Sequence, residues 1–300
     1  MSKPPQRDGV GASTVQLPPG DWPNLLDFLD ARFADVGRAI WQQRFARALV
    51  LDSDGEPLGV DAAYRSGQRV HYYRELPPEV PIPFSAEVLH RDGELVVVDK
   101  PHFLPVLPSG RYVQETLLVR LRRELGIDAL TPLHRIDRDT AGLVLFSCNP
   151  ATRGTYTQLF AQRAVEKTYE ALAPALPQHT FPLAVRSRLV RGEPFFRTQT
   201  VDGEANSETR IEIAERRGAL NLYRLYPHSG RKHQLRVHLA SLGAPIVNDP
   251  LYPDVIDVAD GDYSRPLQLL AKELRFADPL TGAPRHFVSR RRLDAATAAT

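Results

Sequence analysis

His134-Arg135-Ile136-Asp137-Arg138-Asp139-Thr140-Ala141-Gly142 is the stretch from which the rest of this chain is read, and it runs straight into Leu143-Val144-Leu145-Phe146. Those four apolar residues are a short continuous run of the kind found in a strand buried on both faces. Positions 134–139 hold one His, two Arg and two Asp. A loop that feeds a core strand is held rigidly, so its side chains are aimed. A carboxylate positioned in this way can act as nucleophile or base at a sugar carbon. The same residues could equally form an Asp–Arg turn that closes a strand, and the chemistry of the stretch leaves both readings open.

Outward from this stretch the pattern is mixed and rich in strands. Leu95-Val96-Val97-Val98, bounded by Asp92-Gly93 and Pro101, predicts a second buried strand. Residues 114–125 predict a helix with Leu117, Leu118, Leu121 and Leu125 on one face and Gly126 as terminator. Asn149-Pro150 predicts the N-cap and first residue of another helix, whose apolar side is Tyr156, Leu159 and Phe160. Strands are expected around 167–174, 183–190, 209–214 and 220–226. In 209–214, Thr209, Ile211 and Ile213 alternate with Arg210, Glu212 and Ala214, a half-buried antiparallel pattern. Leu235, Leu239 and Leu242 mark a last helix, closed by Gly243 and Pro245.

Toward the N-terminus, residues 22–47 read as helical and 48–74 as short strands with turns at Asp54-Gly55 and Ser66-Gly67. Pro77, Pro78, Pro81 and Pro83 form a stiff break. The expected plan is a mobile tail over 1–20, a small module over 22–76, a Pro-rich linker over 77–86 and a main domain over 87–295.

Composition narrows the function classes. The chain has 300 residues, 42% hydrophobic and 25% charged, the balance of an ordinary globular protein. No apolar run approaches the roughly 20 residues needed to span a bilayer. The first 20 residues lack the apolar stretch of a signal peptide, so a cytoplasmic protein is expected. Cys148 is the single cysteine, which rules out an internal disulfide and a metal site built on thiolates. Net charge is only +2, but arginines cluster at 120–123, 186–191, 231–236 and 290–292, which favours a basic surface.

Two further clusters could carry chemistry. In Glu166-Lys167-Thr168-Tyr169, Lys167 and Tyr169 share one face of a strand. The tyrosine serves there either as a sheet residue or as a ring on which a base stacks. In Ser229-Gly230-Arg231-Lys232-His233-Gln234-Leu235-Arg236-Val237-His238, a glycine precedes a helix rich in donors, which suits a phosphate or a carboxylate. His228, His233 and His238 are spaced by five, so a helix turns them apart, and no shared metal is expected.

Taken in order, these clusters resemble the RluA-type pseudouridine synthases. The run 134–142 is similar to that family's His-Arg-Leu-Asp-x-x-Thr-Ser-Gly motif. Val97-Val98-Asp99-Lys100-Pro101 resembles its strand ending in Lys-Pro, and Glu166-Lys167-Thr168-Tyr169 its Lys-x-Tyr motif. Gly230 to His238, followed by Gly243-Ala244-Pro245-Ile246 and Asp249-Pro250-Leu251-Tyr252, resembles its Gly-Arg-x-His-Gln-Ile-Arg-x-His block and continuation. The matches cover roughly residues 87–285. Departures are Ile136 for Leu, Ala141 for Ser, and Asn248 for the usual Gly before Asp249; none removes a reactive group.

The resemblance implies an α+β fold: a mixed, mainly antiparallel sheet flanked by helices, with a small N-terminal module faintly similar to S4 RNA-binding modules. It implies that Asp137 is the essential catalytic aspartate and that Tyr169 packs on the target uracil and assists proton transfer at C5. Arg236 would pair with the aspartate, and Arg135 would displace the target base. RNA contacts would fall to Arg135, His134, Lys100, Lys167, Arg231, Lys232 and His233, while Asp139 would structure the loop. The implied reaction breaks the uridine N-glycosidic bond, turns the freed uracil and joins its C5 to C1′. Charge develops on the sugar, as in glycoside hydrolysis, so a carboxylate below C1′ helps. Neither a redox step nor an activated donor is needed, so no cofactor and no metal are expected. The expected partner is rRNA or tRNA, bound by a monomer without a membrane.

Three rivals stand beside this reading. A kinase-like loop is suggested by His134-Arg135 with nearby Asp, but the chain has neither a Gly-rich phosphate loop nor an Asp-Phe-Gly motif. A glycosidase built on Asp137 and Asp139 would not require the Lys-x-Tyr and Arg-His-Gln blocks. A non-catalytic RNA-binding protein would not require Asp137, Tyr169 and Arg236 together.

Overall fold

The computed structural model describes residues 4, 6–7, 9–74, 79–110 and 112–294. The N-terminal part contains β1 (Ser13–Gln16), α1 (Leu25–Arg32), α2 (Arg38–Ala46), β2 (Val50–Leu51) and β3 (Arg69–Tyr72). The remainder begins with β4 (Glu87–Arg91), β5 (Leu95–Lys100), α3 (Leu117–Leu125), β6 (Thr131–Pro132), β7 (Ala141–Ser147) and α4 (Arg153–Ala161). It continues through β8 (Glu166–Pro174), β9 (Leu183–Arg191), β10 (Thr198–Val201), β11 (Ser207–Arg217), β12 (Leu220–Pro227), α5 (Gln234–Ser241), β13 (Leu269–Ala277) and β14 (Pro284–Val288). Among the described residues, no helix is long and apolar enough to cross a membrane.

Eleven strands form one sheet in the order β10-β9-β11-β12-β8-β13-β7-β5-β4, with β14 pairing β13 and β6 pairing β7. Every pairing is antiparallel except β13 with β7. This is the mixed, mainly antiparallel α+β sheet expected from the sequence. Strand β7 sits between β5 and β13 and is buried at every residue, which explains its unbroken apolar run.

The register of the central strands decides where the motifs meet. Lys100 on β5 lies opposite Gly142 on β7, Gly142 opposite Ala271 on β13, Ala271 opposite Tyr169 on β8, and Tyr169 opposite Leu225 on β12. One row across five strands therefore unites the Lys-Pro strand, the end of the 134–142 stretch and the Lys-x-Tyr strand. Gly142 is fixed by sterics: its φ is +110°, and an added Cβ would sit 2.3 Å from the Ala271 carbonyl oxygen.

The loop before β7 is pinned at successive points. Leu133 N–H donates to Leu145 O (2.8 Å), and Leu145 N–H donates to Nε2 of His134 (3.1 Å). Ile136 enters the core. Lys100 Nζ donates to Arg138 O (2.9 Å), and His102 Nδ1 donates to Asp139 O (2.7 Å). At the other end of the site, His238 on α5 lies between Ser187 and Ser207 through Nε2 (2.9 and 3.1 Å) and Thr209 through Nδ1 (2.9 Å), tying the helix to β9 and β11.

Several expectations are corrected. Residues 1–20 are not a tail as a whole: β1 pairs with β3, Leu17 is buried in the N-terminal core, and Val10 packs on Val113 and Val119. The apolar positions Val10, Val15 and Leu17 drive this, because they cover surfaces left bare by the rest. Of the prolines at the expected break, Pro77 and Pro78 lie outside the described residues. The segment after them is bound to the core. Ile82 is buried, Glu79 accepts the N–H groups of Val113, Gln114 and Glu115, and Arg120 donates to the carbonyls of Ile82 and Phe84. Helix α4 starts at Arg153, not at Asn149-Pro150. Asn149 instead closes a turn, accepting from Ala151 N–H (3.0 Å) and donating to Glu94 (3.0 Å).

Two outcomes follow. Gly142→Ala, which must displace the β13 backbone, should cost more than about 3 kcal/mol in urea unfolding; an unchanged midpoint would contradict this register. Burial lowers His102 and His238 to about 4 and His134 to about 3, from 6.5. The unfolded chain therefore takes up protons at a higher pH than the folded one. Stability should fall as pH drops from about 6.5 toward 4, by up to about 1.4 kcal/mol per pH unit for each histidine. A flat urea midpoint between pH 7 and 5 would show that these rings are not held neutral.

Candidate active site

Asp137 sits between two immobilised neighbours, Ile136 in the core and Arg138 held by its carbonyl, so its side chain has one way out: toward α5. There Arg236 is 1% exposed, and its fork is spent mostly on Asp249, with Nε to Oδ2 at 2.8 Å and Nη2 to Oδ1 at 2.5 Å. The remaining nitrogen, Nη1, lies 3.5 Å from Asp137 Oδ2. The guanidinium also lies over the Tyr252 ring, 5.3 Å from its centroid. Burial opposes the charge on Arg236, but the hydrogen bonds it donates to Asp249 and the charges of Asp249 and Asp137 overcome it and hold the guanidinium protonated.

Asp249 is itself fixed. Its Oδ1 accepts the N–H groups of Leu251 (2.8 Å) and Tyr252 (3.1 Å). Asn248 before it has φ +60°, the left-handed conformation that glycine or asparagine adopts most readily. This accounts for the Asn departure noted in the sequence: the position requires left-handed backbone, and Asn supplies it while donating to Pro266 O (3.1 Å).

At 3.5 Å the Arg236–Asp137 contact is a long hydrogen bond. His233 Nε2 is farther, 3.9 Å from Asp137 Oδ1. The Asp137 side chain is 29% exposed, so a carboxylate oriented by a cation still opens to a cleft. That cleft holds about 100 Å³ and is bordered by Arg135, Lys167, Tyr169 and Arg236. Burial first, and then the nearby Asp137 charge, push the Tyr169 phenol upward, so it is protonated at neutral pH. Its hydroxyl makes no hydrogen bond to the described residues.

The other expected site residues divide. Arg135 is exposed at the mouth and makes no side-chain hydrogen bond among the described residues. Arg231 and Lys232 are exposed beside it, with Arg231 donating to Asn206 O (3.3 Å) and Lys232 to Phe196 O (2.7 Å). His233 is buried, Nδ1 meeting the Tyr252 hydroxyl at 2.9 Å, and burial lowers it to about 4; it lines the pocket as a neutral ring. His134 is stacked on Phe160 (4.7 Å) and uses Nε2 on the backbone, so it shapes the cleft wall. Lys100 is corrected outright. It is fully buried, donates to the carbonyls of Pro101 and Arg138, and is pushed by burial to about 7 against the pull of Asp139 and Asp137. A side chain without exposed surface cannot touch RNA; its work is to pin the Asp137 loop.

Sequence reading missed Asp249 and Tyr252 as parts of this arrangement. The signal was present in Asp249-Pro250-Leu251-Tyr252, but nothing local says that the aspartate anchors an arginine 13 residues earlier. Asp139 pairs with Arg138 (2.9 Å) and is buried, in line with a loop-structuring role. Among the described residues, no group of three or more His, Cys, Asp or Glu is placed to hold a metal ion.

Comparison with known proteins bears on this geometry. Residues 94–241, which contain Asp137, Tyr169 and Arg236, match a family model described as RNA pseudouridylate synthase. An RNA pseudouridine synthase of Synechocystis sp. is 31% identical over 247 residues, covering 76% of this chain and 79% of that protein. RNA pseudouridine synthase 5 of Arabidopsis thaliana is 27% identical, covering 89% of this chain and 88% of that protein. The mitochondrial tRNA pseudouridine(32) synthase of Saccharomyces cerevisiae is 28% identical, covering 76% of this chain and 50% of that protein. Among solved structures, human RNA pseudouridylate synthase domain containing 4 superposes with a TM-score of 0.53 at 26% identity, covering 70% of this chain and 89% of that one. The chain belongs to the RNA pseudouridine synthases and is an isomerase that converts uridine in RNA to pseudouridine.

Proposed function

We propose that the substrate is a uridine of rRNA or tRNA and that Asp137 is the catalytic nucleophile or base. The observation that carries this is the open Asp137 carboxylate, held between a pinned loop and an arginine that is itself locked to Asp249. Rupture of the N1–C1′ bond leaves positive charge on the ribose and negative charge on the uracil. A fixed carboxylate meets the first charge without reorganising. Attack on C1′ and removal of the 2′ proton both use the same oxygen atoms. After the uracil turns, C5 bonds to C1′ and loses its proton, and N1 gains one, so the reaction balances with no added reactant.

Tyr169 is the platform for the uracil, and its protonated hydroxyl faces the proton transfer at C5. Arg135, exposed and unengaged, fills the place of the base that leaves its stack. That step costs roughly a few kcal/mol. Arg231 and Lys232 lie at the rim, where they meet phosphates. The domain plan belongs to the same proposal: residues 87–295 are catalytic, and 22–76 form an S4-like module that contacts RNA. In support, the described part of the module has its own core around Trp41, and the segment before it touches the catalytic part through Gln6, Gly9 and Val10.

RNA labelled with tritium at uridine C5 should lose label to water on incubation with the pure protein and no added cofactor. Asp137→Ala should slow release by at least about a thousandfold while RNA binding at low salt persists; full turnover by that variant would refute the assignment. Wild-type protein that binds rRNA and tRNA yet releases no tritium would favour a non-catalytic RNA-binding role. Tyr169→Phe keeps the platform and removes the hydroxyl, so it should spare KM and lower kcat. Wild-type kcat in Tyr169→Phe would show that the hydroxyl has no separate part, and an equal loss in Tyr169→Phe and Tyr169→Leu would show that the ring is not a platform.

A further inference from the structure

Beside the Asp137 pocket lies a second cleft of about 390 Å³, sharing Arg135, Lys167 and Tyr169 with it. Arg163, Lys167, His228 and Arg231 project around it, from the turn after α4, from β8 and from the segment between β12 and α5. Among the described residues, no aspartate or glutamate lines it. Neither Arg163 nor Lys167 has a carboxylate within ion-pair distance among the described residues. Lys167 is lowered by burial and further by Arg163, so these two cations repel each other. A folded chain keeps two cations together without an anion only at a cost, and a bound anion would remove that cost.

The adjoining groove, about 550 Å³, makes a useful contrast. Its further arginines are already engaged: Arg275 with Glu273 (2.9 Å), Arg224 with Glu170 (3.9 Å) and Arg210 with Glu212. Arg163, Lys167 and His228 line both clefts, so the cations without an ion-pair partner among the described residues lie along the boundary that the groove shares with the cleft next to Asp137. Space is provided there as well: Gly230 has no side chain, and a Cβ on it would come within 3.9 Å of Lys167 Nζ.

We propose that this cleft is a phosphodiester site, which holds the backbone of the strand next to the target uridine through Arg163, Lys167 and His228. The proposal rests on the reading that Asp137 acts on a uridine, since the two pockets share a wall. It gives Arg163 and His228, which the catalytic reading does not use, the task of setting where along the strand the base is presented.

The test is binding of a fluorescein-labelled oligouridylate across a salt series, paired with tritium release from labelled RNA. Arg163 has φ +59°, so Arg163→Asn removes the charge with a residue that tolerates this backbone. The salt slope should fall by about 0.7 in Arg163→Asn and by about 1.4 when Lys167→Met is added. KM in the release assay should rise about tenfold for Arg163→Asn, with the loss in KM rather than in kcat, and Arg163→Lys should restore both. A slope and KM equal to wild type in Arg163→Asn would overturn the proposal, whatever the double variant does. If wild type binds with the slope that Arg163→Asn lowers but releases no tritium, the catalytic reading fails and the phosphodiester site stands.

Discussion

The buried fork between Arg236 and Asp249 is the interaction on which the site depends. A guanidinium with 1% exposure is costly unless a carboxylate meets it in good geometry. Here both ends of the fork are occupied, and Asp249 is in turn held by backbone N–H groups. Because two nitrogens are committed, the third has a fixed direction, and that direction is Asp137. Helix α5, the 248–252 turn and the loop before β7 thus become one rigid unit, although Asp137 lies 99 residues before Arg236. The aspartate receives orientation without being consumed: at 3.5 Å the arginine guides the carboxylate and leaves it open to the cleft.

The other constraint is the register of the central sheet. The row Lys100, Gly142, Ala271, Tyr169 and Leu225 crosses five strands. Gly142 is the narrow point, because the single parallel pairing of the sheet passes directly against it. A one-residue slip would turn side chains to the opposite face and part Tyr169 from the Asp137 loop. Lys100 gains a role from the same row: buried beneath the loop, it holds Arg138 by its carbonyl and keeps Asp137 aimed.

Much of this was legible in the sequence. The buried runs at 95–98 and 143–146, the alternation at 209–214 and the helix ended by Gly126 each follow from local patterning. The order of the motifs identified the family, and the charge-dense stretch around Asp137 lies on the cleft that we propose as the active site. What escaped reading depends on distant partners. Ser13–Gln16 is a strand only because β3 lies beside it. Asn149 resembles a helix cap, but Glu94, 55 residues away, draws it into a turn. Lys100 looks like a surface cation, and only the register shows that carbonyl groups surround it. Asp249 carries no local mark of its partner. Each miss concerns burial or pairing set by the sheet, which no window of sequence contains.

If Asp249 acts on catalysis by holding Arg236, a double-mutant cycle on tritium release will show it. Turnover at saturating RNA would be measured for Arg236→Gln, Asp249→Asn and the pair, on protein that unfolds cooperatively. The account predicts that Asp249→Asn alone slows turnover at least about tenfold, and that adding it to Arg236→Gln slows it no further. Wild-type turnover in Asp249→Asn, or losses that multiply in the pair, would contradict it.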